Sequence, residues 1–213
     1  MSVFDKYKNS RSGVGYVFGS GPSLSDFVPV EEGVYISTNW SSLCPVLMGK
    51  VDFAFTEGDM TKDILASVKP EGVIFFDNSS YHLDKRFVAQ SPHEQAYGGM
   101  PESGPANGHS EEDYPLNSAA PQREVDKDGI YGIAGTLEIH QAPNICGSTV
   151  FYSFLFAVHL GLKKIYVVGC DVTGNYVSML SGWRYVRGWM DEHHPDVEVL
   201  IMNPVNNYEF GTV

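Results

Sequence analysis

Gly13-Val14-Gly15-Tyr16-Val17-Phe18-Gly19-Ser20-Gly21-Pro22-Ser23-Leu24 is the stretch that decides the fold. A short apolar run closed by glycine is the pattern of a strand covered on both faces. Gly19 and Gly21 then let the backbone turn sharply and approach a ligand closely, and Pro22 with Ser23 opens a helix directly after the turn. Working outward, four more apolar runs of the same kind lie at 34–38, 51–56, 72–77 and 164–169. A sixth, at 197–202, reads as an edge strand. Helices are predicted between them at 40–48, 61–68, 148–160 and 181–193. The alternation of strand and helix implies an α/β domain with a mostly parallel, doubly wound sheet.

The 148–160 helix is apolar nearly all round and is expected deep against the sheet, with Gly161 as its left-handed cap. The 181–193 helix is amphipathic. Trp183, Val186 and Met190 share its inner face, whereas Arg184, Arg187 and Asp191 face outward. The stretch 84–146 breaks the pattern: it holds six of the twelve prolines and seven glycines, with four basic and ten acidic residues. It reads as a loop-rich, acidic insertion or lid within a single domain spanning 1–213. Within it, only 137–140 has the look of a short strand.

Composition narrows the function. The chain has 213 residues, 43% of them hydrophobic and 19% charged, with a formal net charge of −12. That describes a globular protein without the clustered Lys and Arg that nucleic-acid backbones or anionic membranes require. No apolar run reaches the roughly 18 residues of a membrane span. Residues 1–12 lack the apolar core of a signal peptide. Cys44, Cys146 and Cys170 have no metal-ligand spacing and read as reduced thiols. The expectation is a soluble, cytoplasmic protein.

Gly19-x-Gly21-Pro22-Ser23-Leu24 after the first strand resembles the opening motif of a Rossmann-like superfamily. Its members include the family 42 sialyltransferases, the motility-accessory-factor proteins and the archaeal hydroxymethyldihydropterin diphosphokinases. Ser37-Thr38-Asn39, Gly147-Ser148-Thr149 and the strand ending Gly169-Cys170-Asp171 are similar to later motifs of the same group. The likeness covers roughly 13–60 and 145–205. It implies a nucleotide pocket built by Gly19, Ser20, Gly21, Pro22, Ser23, Asn39, Gly147, Ser148 and Thr149. Asn39, Glu57, Asp59, Asp77 and Asp171 all fall at or just beyond the carboxyl ends of expected strands, where open α/β sheets bind ligands. The small residues that open the buried helix form a second phosphate cradle.

Three functions are compatible with these residues. The first is a transferase using a nucleotide-activated sugar, in particular a CMP-sugar, with Asp171 and His140 as the catalytic candidates. The sialyltransferases carry a basic His after the Gly-x-Asp strand. This chain has Val172-Thr173-Gly174-Asn175-Tyr176 there, which leaves His140 as the best-placed base. The second is a pterin diphosphokinase-like enzyme, in which Asp59 and Asp77 would hold magnesium. The third is a non-catalytic nucleotide-binding or assembly module, with which self-association is also compatible. Magnesium enters only with the kinase, and no other cofactor is called for. The Asp126-Lys127-Asp128 triplet spells a metal-binding pattern but sits away from any expected strand end.

Overall fold

The structure, a computed structural model, describes residues 5–56, 63–76, 87–89, 149–171, 179–202 and 211–212. Eight strands run through them: β1 (Val14–Phe18), β2 (Val34–Thr38), β3 (Val51–Thr56), β4 (Val68–Phe76), β5 (Phe87–Ala89), β6 (Lys164–Val168), β7 (Glu198–Ile201) and β8 (Gly211–Thr212). They form one sheet in the order β5-β4-β3-β2-β1-β6-β7-β8, and every pairing is parallel. From β1 the order runs to β2 on one side and to β6 on the other. That reversal is a topological switch point, and it opens a crevice at the carboxyl ends of the two central strands.

The alternation along β1 divides the core. Val17 faces one layer, with Ile36, Phe53, Phe55, Phe75, Ile165 and Val167 from neighbouring strands. Helices α1 (Thr149–His159) and α2 (Met179–His193) cover this layer. Residues Thr149 to Ala157 of α1 are all buried, and Trp183, Val186 and Met190 of α2 pack beside them, as the amphipathic pattern predicts. Tyr7, at the end of the 3-10 turn η1 (Asp5–Tyr7), closes the layer edge-on against Phe53, Phe75 and Phe156 at 5.4–5.8 Å between ring centres. Tyr16 and Phe18 face the other layer, with Ala54, Ile74, Tyr166 and Val168. Among the described residues that side is covered by single 3-10 turns: η2 (Pro22–Asp26), η3 (Asn39–Leu43), η4 (Pro45–Leu47) and η5 (Asp63–Ala66).

Two predicted helices are therefore corrected. The 40–48 segment is η3 and η4, broken by Pro45, which has no amide hydrogen and forces the preceding residue out of the helical region. Cys44 is accordingly extended, at φ −66° and ψ 128°. Of the 61–68 segment, the described residues supply only η5 before Val68, which already belongs to β4. β4 starts four residues earlier than predicted and passes through Pro70, with a register irregularity between Val51 and Phe53 on its partner. The 197–202 run is not the edge, since β8 pairs outside it. β5 lies within the segment read as an insertion and pairs with β4.

Gly161 ends α1 as expected. Its φ is +91°, its amide donates to Val158 O at 2.9 Å, and the Leu162 amide donates to Ala157 O at 3.4 Å. This Schellman closure turns the chain directly into β6. Among the described residues no helix is long and apolar enough to cross a membrane.

Candidate functional site

The turns that leave β1 and β6 are packed main chain on main chain. The Gly19 amide donates to Val168 O at 2.8 Å and the Gly21 amide to Gly169 O at 2.6 Å, so the β1–β6 ladder runs on past the sheet. The Ser23 amide then donates to Asp171 Oδ2 at 2.8 Å. A Cβ on Gly19 would lie 2.6 Å from Cys170 Sγ, and one on Gly21 would lie 2.6 Å from Gly169 O. Gly169 itself has φ +66°, a conformation that favours glycine. The glycines are thus required by the contact between the two turns, where sequence reasoning had them making room for a ligand.

That contact also changes the ligand approach expected of the turn after β1. The anion at the start of this turn is the chain's own Asp171 carboxylate, 3% exposed. Burial, reinforced by the charge of Asp171, pushes the Cys170 thiol up to about 12. Beside the turn, Ser23 is 9% exposed, and its Oγ is buried with no hydrogen-bond partner among the described residues. Ser20 and Pro22 are exposed and Gly21 half-buried.

The second part of the site is built at the end of β2. Asn39 has φ +46°, in the left-handed region that Asn tolerates better than most residues. Its Nδ2 donates to Thr149 Oγ1 at 3.3 Å, in the first turn of α1. Neighbouring hydroxyls lock this corner. Ser41 Oγ bonds Phe18 O at 3.0 Å and Thr38 O at 2.8 Å, and accepts from the Thr38 amide at 2.8 Å. Thr38 Oγ1 and Ser153 Oγ lie 2.7 Å apart, as do Ser37 Oγ and Ser42 Oγ. Through Phe18, the residue before Gly19, the Asn39 corner is tied to the β1 turn.

Of the residues singled out from sequence, Gly19 to Ser23 and Asp171 form one cluster. Asn39 and Thr149 form a second, and both sit at the carboxyl ends of the central strands. His140, Gly147, Ser148, Asp59 and Asp77 lie outside the described residues, as do Glu57, the 126–128 triplet and the 137–140 segment. Arg187 pairs with Asp191 on α2 at 2.9 Å. Among the described residues no group of three or more His, Cys, Asp or Glu is placed to hold a metal ion. Sequence reasoning missed the structural part played by Ser37, Thr38, Ser41, Ser42 and Ser153. The available signal was the density of hydroxyls, Ser-Thr-Asn-Trp-Ser-Ser, straight after an apolar strand.

A groove at the opposite end of the sheet, lined by Val30, Glu31, Gly33, Tyr35, Lys50 and Lys69, is a poor rival. Lys50 Nζ donates to Val46 O and Lys69 Nζ pairs with Asp52 Oδ1, so neither cation is spare for an anion.

The strand order and the switch-point crevice define an open α/β domain of the Rossmann-like class. No protein-family model and no curated protein sequence match the chain. Among solved structures it is similar to the sialyltransferase CstII from Campylobacter jejuni in complex with a substrate analogue, cytidine-5'-monophosphate. The identity is 15% over 89% of this chain and 79% of that one, with a TM-score of 0.46. It is also similar to CstII in complex with CMP-3FNeuAc, at 14% identity over 90% of this chain and 80% of that one, with a TM-score of 0.48.

Proposed function

We propose that this chain is a transferase that binds a nucleotide-activated sugar, with a CMP-sugar as the first candidate, at the carboxyl ends of β1, β2 and β6. The observation that carries the proposal is Asn39. Backbone in the left-handed region is unfavourable for a residue with a side chain, and such outliers gather at ligand sites. Here the outlier stands at the switch point with its amide fixed against Thr149. An amide held in this way carries donor and acceptor atoms suited to a base edge or a ribose hydroxyl.

Two further features support the assignment. Leaving a buried hydroxyl unsatisfied costs about 1–3 kcal/mol, and a ligand oxygen reaching Ser23 Oγ would remove that cost. In a chain of net charge −12, a phosphate is best met by helix-start amides; Thr149 opens α1, and the family resemblance adds Gly147 and Ser148 to this group. Asp171, buried against Ser23, serves in this scheme as a positioning residue that keeps the β1 turn in shape. His140 is assigned as the proton acceptor for the incoming hydroxyl.

A thermal-shift series with CMP, UDP, GDP and ATP, each with and without magnesium, tests the proposal. A ligand at 100 times its dissociation constant adds about 2.7 kcal/mol, which raises the melting temperature of a domain this size by roughly 5–11 °C. Metal-independent stabilisation selective for CMP is the expected result. Magnesium-dependent stabilisation by ATP alone would move the chain to the diphosphokinase class. No response to any nucleotide would leave a non-catalytic module.

A further inference from the structure

The sugar-transfer proposal leaves one residue beside Asn39 unused. Trp40 is 60% exposed, yet the residues on either side of it are anchored by hydrogen bonds. Asn39 before it is bonded to Thr149, Ser41 after it to Phe18 O and Thr38, and Ser42 to Ser37. Single exposed apolar side chains are common on protein surfaces. A large aromatic fixed at both flanks by buried hydroxyls, next to Asn39 at the carboxyl end of β2, is a different case. Its backbone is immobilised while its ring stays open to solvent, so a ligand stacking on it meets a pre-organised surface and orders little protein on binding. The other two tryptophans are spent on packing, with Trp183 2% and Trp189 8% exposed.

We infer that Trp40 is the acceptor platform of the site, taking the apolar face of a pyranose ring. The electron-rich face of the indole attracts the weakly positive C–H bonds of a sugar ring. The ring has no charge to repel, which suits a neutral acceptor approaching a strongly acidic protein. The choice of a saccharide partner rests on the sugar-transfer reading; the exposure and rigid mounting of Trp40 do not.

Because Trp40 alone among the three tryptophans is open, iodide quenching of tryptophan emission reports on it directly. The probes are lactose, maltose and cellobiose, each with and without CMP, with Trp40→Phe to identify the signal. Expected is a saccharide-dependent loss of quenching in wild type that is absent from Trp40→Phe. In transfer assays Trp40→Ala should raise the acceptor KM roughly three- to tenfold, with Trp40→Phe recovering most of it and the donor KM unchanged. If CMP alone shields Trp40 as fully as any saccharide, the ring serves the donor base and the acceptor assignment is wrong. If no saccharide shields it in either condition, it is no platform. The saccharide arm without CMP is independent of nucleotide binding, so failure of the nucleotide thermal shift and failure of the platform are separately visible.

Discussion

The main-chain amide of Ser23 donates to Asp171 Oδ2 at 2.8 Å, joining residues 148 apart in the chain. This bond makes the β1 and β6 turns one unit. Asp171→Ala would leave a buried amide unpaired and should lower stability by about 1–3 kcal/mol. Asp171→Asn keeps an oxygen acceptor and should lose less. Urea midpoints of the two variants check this, and an unchanged midpoint for Asp171→Ala would show that the bond is dispensable.

The same packing sets the cost of a methyl group in the turn. Gly21→Ala would place Cβ 2.6 Å from the Gly169 carbonyl, which is backbone and cannot rotate away. A loss of about 1–3 kcal/mol is expected from overpacking. Gly49 also lies in the left-handed region, at φ +69°, but nothing lies within 4 Å of the position its Cβ would occupy. Gly49→Ala should cost only the backbone term, about 1 kcal/mol. Denaturation of the pair separates strain from crowding.

Cysteine chemistry should be uneven. The Cys170 thiol, buried and pushed up to about 12, stays protonated at neutral pH and hidden from reagents. Brief iodoacetamide treatment of the native protein, read by peptide mass spectrometry, should leave Cys170 unmodified. Label there at a rate matching the half-buried Cys44 would contradict the packing of the β6 turn.

His194 supplies a pH signature. Burial holds its pKa below the ordinary 6.5, while Asp196 acts in the opposite direction and His193 and Lys163 lower it further; its ring lies 4.7 Å from that of Trp189. The unfolded chain therefore takes up a proton at a higher pH than the folded one. Stability is fully present above about pH 6.5 and declines as pH falls toward the folded value. Asp196, held low by Lys163, begins to lose its contribution only as pH falls toward the ordinary carboxylate value, below both pH values compared here. Comparing urea midpoints at about pH 7.5 and pH 5.5, His194→Gln should flatten the decline; an unaltered slope would assign it to other groups.

The strands were legible because β1, β2, β3 and β6 are short runs rich in Val, Ile, Phe and Tyr, bounded by polar or glycine punctuation. Burial on both faces imposes that composition. Apolar spacing says little about element length, so the 3-10 turns share the pattern of helices, and Pro45 is the residue that breaks the 40–48 segment. β5 and β8, three and two residues long, are too short to carry a periodic signal. For the site, position at strand ends was readable. The pairing of Asn39 with Thr149 across 110 residues is a product of the fold and leaves no local trace. The spacing of Gly19 and Gly21 was visible, but the reason for it, the β6 turn beneath, was not.

Asn39→Gly is the most direct test of the central claim. Glycine keeps the left-handed backbone at φ +46° without strain and removes only the amide, so the fold should hold to within about 1 kcal/mol. Calorimetric titration of CMP into wild type and into this variant is the decisive measurement. The expected result is measurable binding to wild type and a loss of roughly tenfold or more in the variant, the weight of one or two hydrogen bonds. Equal affinity for CMP in a variant that melts like wild type would contradict the assignment of Asn39, and with it the proposed pocket.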